Sequence, residues 1–342
     1  MRIEDLDYAL PDELIAQTPL AERSASRMLV VDRSVGTVEN NAFAGIGNFL
    51  NAGDTLVLNN TRVFPARLLG KTETGASVEI FLMREIEPAV WESLGKPARR
   101  MPAGKKVIFG EDLSAKVLRS GDSRLTIEFQ TEKDLAEMLD LHGRTPLPQY
   151  IKRDIAEPDA DRERYQTVFS KKKGAIAAPT AGLHFTPALL SELRAAGVDI
   201  CEVTLHVGYG TFEPVRVDDL TEHRVLPEEY EIEGSAADML NRARAEKRRI
   251  VAVGTTTTRT LESAMRKNGN FVAERSHAGL TITPGYKFGA IDALLTNFHL
   301  PKSSLLLLVS TFAGHELTMR AYRHAVEARY RFFSYGDCML IV

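Results

Sequence analysis

Four segments in the second half of the chain collect residue types suited to chemistry rather than to filling a core. Ala178–Thr186, APTAGLHFT, sets His184 among small residues just ahead of a capped helix, where backbone amides can hold an anionic group such as a carboxylate. Thr204–Arg216, TLHVGYGTFEPVR, ends a strand with His206, then Gly208, Gly210, Thr211, Phe212, Glu213 and Arg216, a mixture of acid, base and stacking groups. Gly254–Ser263, GTTTTRTLES, runs from a strand through threonines into a helix, the place where open α/β sheets commonly bind ligands. TNFHLPKS (Thr296–Ser303) and YRFFSYGD (Tyr330–Asp337) add Asn, His, Arg and aromatic groups, which stack on and hydrogen-bond to nucleobases.

Each segment also has a plainer reading. His184 can anchor a turn, a tight turn accounts for Gly208 and Gly210, an N-cap accounts for one of the threonines, and Phe332 or Phe333 belongs to a core. Packing alone rarely demands the whole mixture. The candidate catalytic set is therefore His184, His206, Glu213 and Asp337. The candidate substrate-binding set is Thr180, Gly182, Phe185, Gly208, Thr211, Phe212, Arg216, Thr255, Arg259, Asn297, His299, Arg331 and Tyr335.

Several alternatives fail on spacing. Gly208 and Gly210 lead into TFEPVRV, which is not helical, so they do not form a dinucleotide-binding turn. GKT at 70–72 has Pro65 where a phosphate-binding loop needs its first glycine. His315 and Glu316 start a zinc-helix pattern, but Met319 occupies the second histidine position, so no metal is expected. With Cys201 and Cys338 the only cysteines, the chain cannot hold an iron–sulfur cluster and fits a reducing compartment, both thiols being expected as buried small hydrophobes. The longest apolar run, Leu305–Val309, is far below the ~18 residues of a membrane-spanning helix. MRIEDLDYAL carries no targeting pattern, so a cytoplasmic protein is expected. A net charge of -3 means that any RNA binding rests on local basic patches. Lys96, Arg99, Arg100, Lys105 and Lys106 are such a cluster, with a solvated face as the plainer reading.

The elements that must position these segments fall into two textures. From Arg67 to Gly143, short strands (ARLLGK, SVEIFLM, KKVIF, SAKVLR, RLTIEF) broken at roughly ten-residue intervals indicate a small antiparallel barrel or sandwich, closed by the helix DLAEMLDLHG. Pro146–Arg153 reads as an extended linker and a domain boundary. After Gly174 strands alternate with amphipathic helices, an α/β pattern, with Thr186–Pro187 and Ser235/Asp238 as helix-start signals and the apolar tail after Ser334 as a buried strand.

With DYALP, LVLNNTRVFPARL (Leu56–Leu68) and RYQTV (Arg164–Val168), these motifs resemble the S-adenosylmethionine:tRNA ribosyltransferase-isomerase family over essentially the whole chain. The resemblance implies a large mixed α/β domain, residues 1–62 and 150–342, with a small antiparallel β-barrel, 63–149, inserted. It implies transfer and isomerisation of the ribosyl moiety of S-adenosylmethionine, a co-substrate rather than a bound cofactor, onto 7-aminomethyl-7-deazaguanine at the wobble position of tRNA, in a monomer. In that chemistry His184 or His206 would serve as base, Glu213 or Asp337 would orient it or the ribose, and Arg331 would engage a nucleobase. Leu226, Gln149 and the short AGLTITPGY stretch depart from the family pattern. They leave open a relative that acts on a different acceptor, or a catalytically silent tRNA-binding protein.

Overall fold

The computed structural model describes residues 1–154, 159–212, 217–220 and 222–342, with the side chains of Thr211 and Phe212 outside that description. In chain order, β1 (Arg27–Asp32), β2 (Thr37–Ala42), β3 (Thr55–Asn59) and β4 (Thr61–Val63) come first. They are followed by β5 (Arg67–Thr72), β6 (Ser77–Glu87), β7 (Val90–Lys96), β8 (Lys106–Ile108), β9 (Ser114–Gly121), β10 (Arg124–Gln130), α1 (Leu135–His142) and β11 (Gly143–Arg144). The remainder comprises α2 (Asp161–Arg164), β12 (Lys172–Ala175), α3 (Pro187–Ala195), β13 (Asp199–Leu205), β14 (Glu228–Ile232), α4 (Gly234–Ala245), β15 (Ile250–Val253), α5 (Thr255–Asn268), β16 (Glu274–Ala278), β17 (Ala293–Asn297), α6 (Ser304–Ala313), α7 (His315–Glu327) and β18 (Cys338–Ile341).

Nine strands form one mixed sheet in the order β16-β14-β13-β3-β15-β17-β18-β1-β2. Its centre, β13-β3-β15-β17, is parallel throughout. These strands are apolar on both faces, as a sheet covered on both sides requires. Val57, Val203, Ala252 and Leu294 point into one core, and Leu56, Leu58, Val253 and Leu295 into the other. Residues of α4, α5, α6 and α7 share the first core, and residues of α3 the second. The α/β reading of this half therefore holds. Thr186 caps α3, its side chain accepting from Leu189 N at 3.1 Å, with Pro187 at the first helical position. Ser235 does not cap α4: the helix begins at Gly234, with Glu233 in the N-cap position.

A second sheet joins β5-β6-β7-β10-β9-β8 and closes through β5–β8 into a barrel, with β11 added alongside β5, and β4 and β12 form a separate parallel pair. Closure brings β5 very close to β8. A Cβ on Gly70 would lie 2.8 Å from the Phe109 ring and 2.9 Å from the Ile108 carbonyl, which is why the seam carries glycine. Of the sandwich and barrel alternatives the barrel is the one formed. Its core of Ala66, Leu68, Ile80, Leu82, Val107, Val117 and Ile127 also takes in Ile176, and Phe81 meets Tyr209 edge-on at 6.1 Å.

The tail after Ser334 is, as expected, a buried strand, and the loop leading to it is fastened by Asp337. One carboxylate oxygen accepts from Arg27 N at 2.9 Å, the other from Arg331 N at 2.8 Å, and Asp337 N donates to Arg331 O at 2.8 Å. Asp337 is 2% exposed, and both oxygens are engaged by backbone. Asp337→Ala should therefore lower the unfolding free energy by about 2–4 kcal/mol, because two buried amides lose their acceptor. Urea denaturation would measure this; loss of turnover at unchanged stability would instead favour the catalytic reading.

Candidate active site

A cleft of about 300 Å³ opens beyond the carboxyl ends of β13, β15 and β17. That size suits a small-molecule site, and its place in the sheet is the one expected for open α/β folds. Val207 follows β13, Gly254 to Thr256 follow β15, and Thr296 to Leu305 end β17 and begin α6. Ala177–Ala181 form one wall, and Gln149, Tyr150, Phe333 and Ser334 another.

The turn into α5 explains the threonine run. Gly254 takes φ +94, a conformation that favours glycine, and this lets the helix start at Thr255 directly over the cleft. Thr255 and Thr256 line the cleft. Thr257 and Thr258 are fully buried and donate back to Val253 O at 2.7 Å and Gly254 O at 3.2 Å. Thus half of the run faces the cleft and half satisfies itself inside the core.

Of the expected residues, Thr180, Thr255, Asn297 and His299 line the cleft together. His184 lies behind Asn297. Its Nε2 is 3.2 Å from Asn297 Oδ1 and its Nδ1 is 2.8 Å from Ser26 Oγ. Asn297 Nδ2 donates to Phe333 O at 2.8 Å, which fixes the amide with its oxygen toward the imidazole. Neutral His184 must then carry its proton on Nε2 and accept from the Ser26 hydroxyl on Nδ1. Burial above all pushes His184 down to about 4, with the nearby Arg23 and Arg331 charges adding to the effect. Its lone pair points away from the cleft, so this geometry does not make it a base there.

His206 is turned away as well. Its Nδ1 lies 2.8 Å from Thr61 Oγ1, its ring packs against Gly174, and burial lowers its pKa. A histidine that does line the cleft is His299, in the candidate set as a binding residue. Its Nε2 is 2.8 Å from Thr296 Oγ1, its amide donates to the Tyr322 hydroxyl at 3.0 Å, and its carbonyl accepts from Tyr8 at 2.5 Å. Burial pushes it down to about 3, so it is held neutral.

The remaining candidates support the site or stand apart from it. Phe185 is fully buried against Phe43 and Phe169, and a Cβ on Gly182 would strike Phe169 and Thr167, so both shape packing. Gly208 and Arg259 are joined through one buried carboxylate: Glu228 accepts from Gly208 N at 2.8 Å and from Arg259 at 2.5 Å. Tyr335 donates to Asp161 at 2.6 Å, and Arg331 donates to Thr18 O. Glu213 and Arg216 fall outside the described residues, as do the side chains of Thr211 and Phe212. Sequence reasoning missed Gln149 and Tyr150, whose segment reads as a linker, and Tyr165, within the RYQTV motif. No group of His, Cys, Asp and Glu among the described residues is arranged to hold a metal ion. No helix among them is long and apolar enough to cross a membrane.

Comparison with known proteins gives one consistent result. A family model described as "Queuosine biosynthesis protein" matches residues 3–341. S-adenosylmethionine:tRNA ribosyltransferase-isomerases from Geobacter metallireducens and Staphylococcus haemolyticus are 50% and 49% identical, over all of this chain and all of theirs. The crystal structure of S-adenosylmethionine tRNA ribosyltransferase from Thermotoga maritima, 38% identical, covers 99% of this chain and 100% of its own, with a TM-score of 0.57. With a match from residue 3 to residue 341 and relatives half identical from end to end, the chain belongs to the queuosine biosynthesis protein family.

Proposed function

We propose that this chain is an enzyme that transfers and isomerises the ribosyl moiety of S-adenosylmethionine onto 7-aminomethyl-7-deazaguanine at the tRNA wobble position. The products are epoxyqueuosine-tRNA, adenine and methionine. The observation that carries the reading is the meeting on one cleft of Thr180, Thr255, Asn297 and His299, drawn from three separate segments of the chain, two of them motifs of the family. The first-turn amides of α5 have no partners within the helix and can hold the methionine carboxylate. Tyr150 and Phe333, whose ring centroids are 4.8 Å apart, give the cleft an aromatic wall suited to a nucleobase.

The sulfonium acidifies the adjacent ribose CH2, and a neutral imidazole in the cleft can take that proton. We assign this role to His299 rather than to His184 or His206. When the Thr296 hydroxyl donates to Asn297 O, 3.3 Å away, His299 carries its proton on Nε2 and keeps the Nδ1 lone pair free. Methionine departs as a neutral thioether, so no metal is needed to stabilise the leaving group. Asn297 acts as the strut that holds the Phe333 wall.

Incubation with S-adenosylmethionine and tRNA carrying 7-aminomethyl-7-deazaguanine, followed by mass spectrometry, tests the reaction. Free adenine and methionine with an epoxyqueuosine mass on the tRNA are expected. S-adenosylhomocysteine would mean methyl transfer; binding without turnover would favour a different acceptor or a silent binder. His299→Ala should reduce kcat by about 100-fold or more, the scale of general-base catalysis, while His206→Ala keeps most of its turnover. Because burial holds His299 far below the usual 6.5, kcat/KM should stay level from pH 8 down to about 5. An acidic limb with an apparent pKa near 6.5 in the rate profile would transfer the base role to an exposed histidine.

A further inference from the structure

Behind the cleft wall lies a second, smaller cavity of about 20 Å³, lined among others by Leu20, Arg23, Ser26, Arg164, His184 and Ser334. Ser334 lines both spaces, and the His184–Asn297 contact separates them. A space of this size holds about one oxygen atom, so it admits one oxygen of a larger group and not a base or a sugar.

Among the described residues Arg23, Arg164 and Arg331 form no salt bridge, with Glu163 acting on Arg23 and Asp337 on Arg331 only through longer-range attraction. Arg23 donates to Leu183 O at 3.1 Å and Glu163 O at 3.2 Å, Arg164 to Leu20 O, and Arg331 to Thr18 O, just before this wall. Arg331 Nη1 is buried with no hydrogen-bond partner. The neighbouring carboxylates are already committed: Asp161 to Arg153 at 2.7 Å and to Tyr335, Glu163 to Arg62 at 3.3 Å, and Asp337 to two backbone amides. Other cations of the large domain are paired, among them Lys171–Glu202 at 2.6 Å, Lys173–Asp140 at 2.5 Å and Lys267–Glu274 at 2.6 Å. In a chain of net charge -3, adjacent unpaired arginines repel each other, and an anion would relieve that repulsion. Burial first and then the Arg164 charge lower the pKa of Arg23, against smaller opposing effects of Tyr335 and Glu163.

We propose that Arg23, Arg164 and Arg331 form a phosphodiester-binding notch, which grips the RNA backbone beside the nucleotide whose base enters the cleft. The inference rests on the reading of RNA as the acceptor. Arg23 and Arg164 line the oxygen-sized space, and Arg331 is held to Thr18 O, next to Pro19 of its wall. Planar guanidinium forks suit a phosphate better than a lone carboxylate does, because a phosphate offers further oxygens to the outer arginine.

Fluorescence anisotropy with a labelled anticodon stem-loop RNA, at several salt concentrations and with the full chain, tests it. The double variant R23Q/R164Q should bind RNA about tenfold or more weakly, with the slope of log K against log salt shallower by about 0.7–0.9, one phosphate contact. R164K, which keeps the charge, should retain most of the slope. S-adenosylmethionine affinity should be unchanged in both, which also reports that they are folded; if the double variant does not fold, R331Q read in the same way replaces it. An unchanged slope in the neutralised variant, with normal RNA binding by the parent, would overturn the notch while leaving the RNA reading standing. A parent protein that does not bind RNA would overturn both. Inorganic phosphate alone should give no saturable heat by calorimetry; saturable binding with an unchanged RNA slope would mean a free-anion site and overturn the proposal.

Discussion

One side-chain amide holds the architecture of the site together. Asn297, 2% exposed at the end of β17, receives His184 Nε2 on its oxygen and gives its nitrogen to Phe333 O. It thereby fixes the 180–184 turn and the 331–337 loop to the central sheet. Both neighbours are buried, so each polar contact is made where water cannot substitute for it. The arrangement continues outward: His184 binds Ser26, and Asp337 binds Arg27 at the start of β1. Segments far apart in the chain are thus set around one cleft by a short chain of obligatory hydrogen bonds.

The same burial sets the protonation states. His184 and His299 are both held neutral, the first down to about 4 and the second down to about 3, by loss of solvent around the charged form. In the proposed reaction a neutral imidazole would avoid the repulsion that an imidazolium would bring to a cationic sulfonium. Arg23 and Arg164 lie on the far side of His184, one wall away from the cleft, whose own lining cation, Lys302, is paired with Asp7 at 2.8 Å.

The barrel is not an isolated appendage. Its core includes Ile176, its Phe81 meets Tyr209 beyond the end of β13, and the strap leaving β11 returns past the cleft with Gln149 and Tyr150 on the wall. Lys71, Lys96, Lys105, Lys106 and Lys116 on the barrel form no ion pairs among the described residues, in contrast to the lysines of the 171–173 cluster.

Much of this was legible in the sequence. Alternation of apolar residues marked the barrel strands, the double-faced apolar runs marked the parallel centre, and Thr186–Pro187 marked a helix start, because these are local consequences of backbone geometry and side-chain period. The motifs carried the family, and the polar residues following β15 and β17 line the cleft. What the sequence could not supply was direction. His184 and His206 stand in motifs as conspicuous as that of His299, yet their ring nitrogens are taken by Ser26, Asn297 and Thr61, partners between 113 and 158 residues distant. Asp337 has the composition of a catalytic acid and the surroundings of a structural clamp. A proline-bearing linker became a cleft wall. Residue type and spacing determine which groups are available and which elements carry them; only the tertiary fold decides which lone pair faces the cleft, because that depends on long-range partners that pattern does not encode.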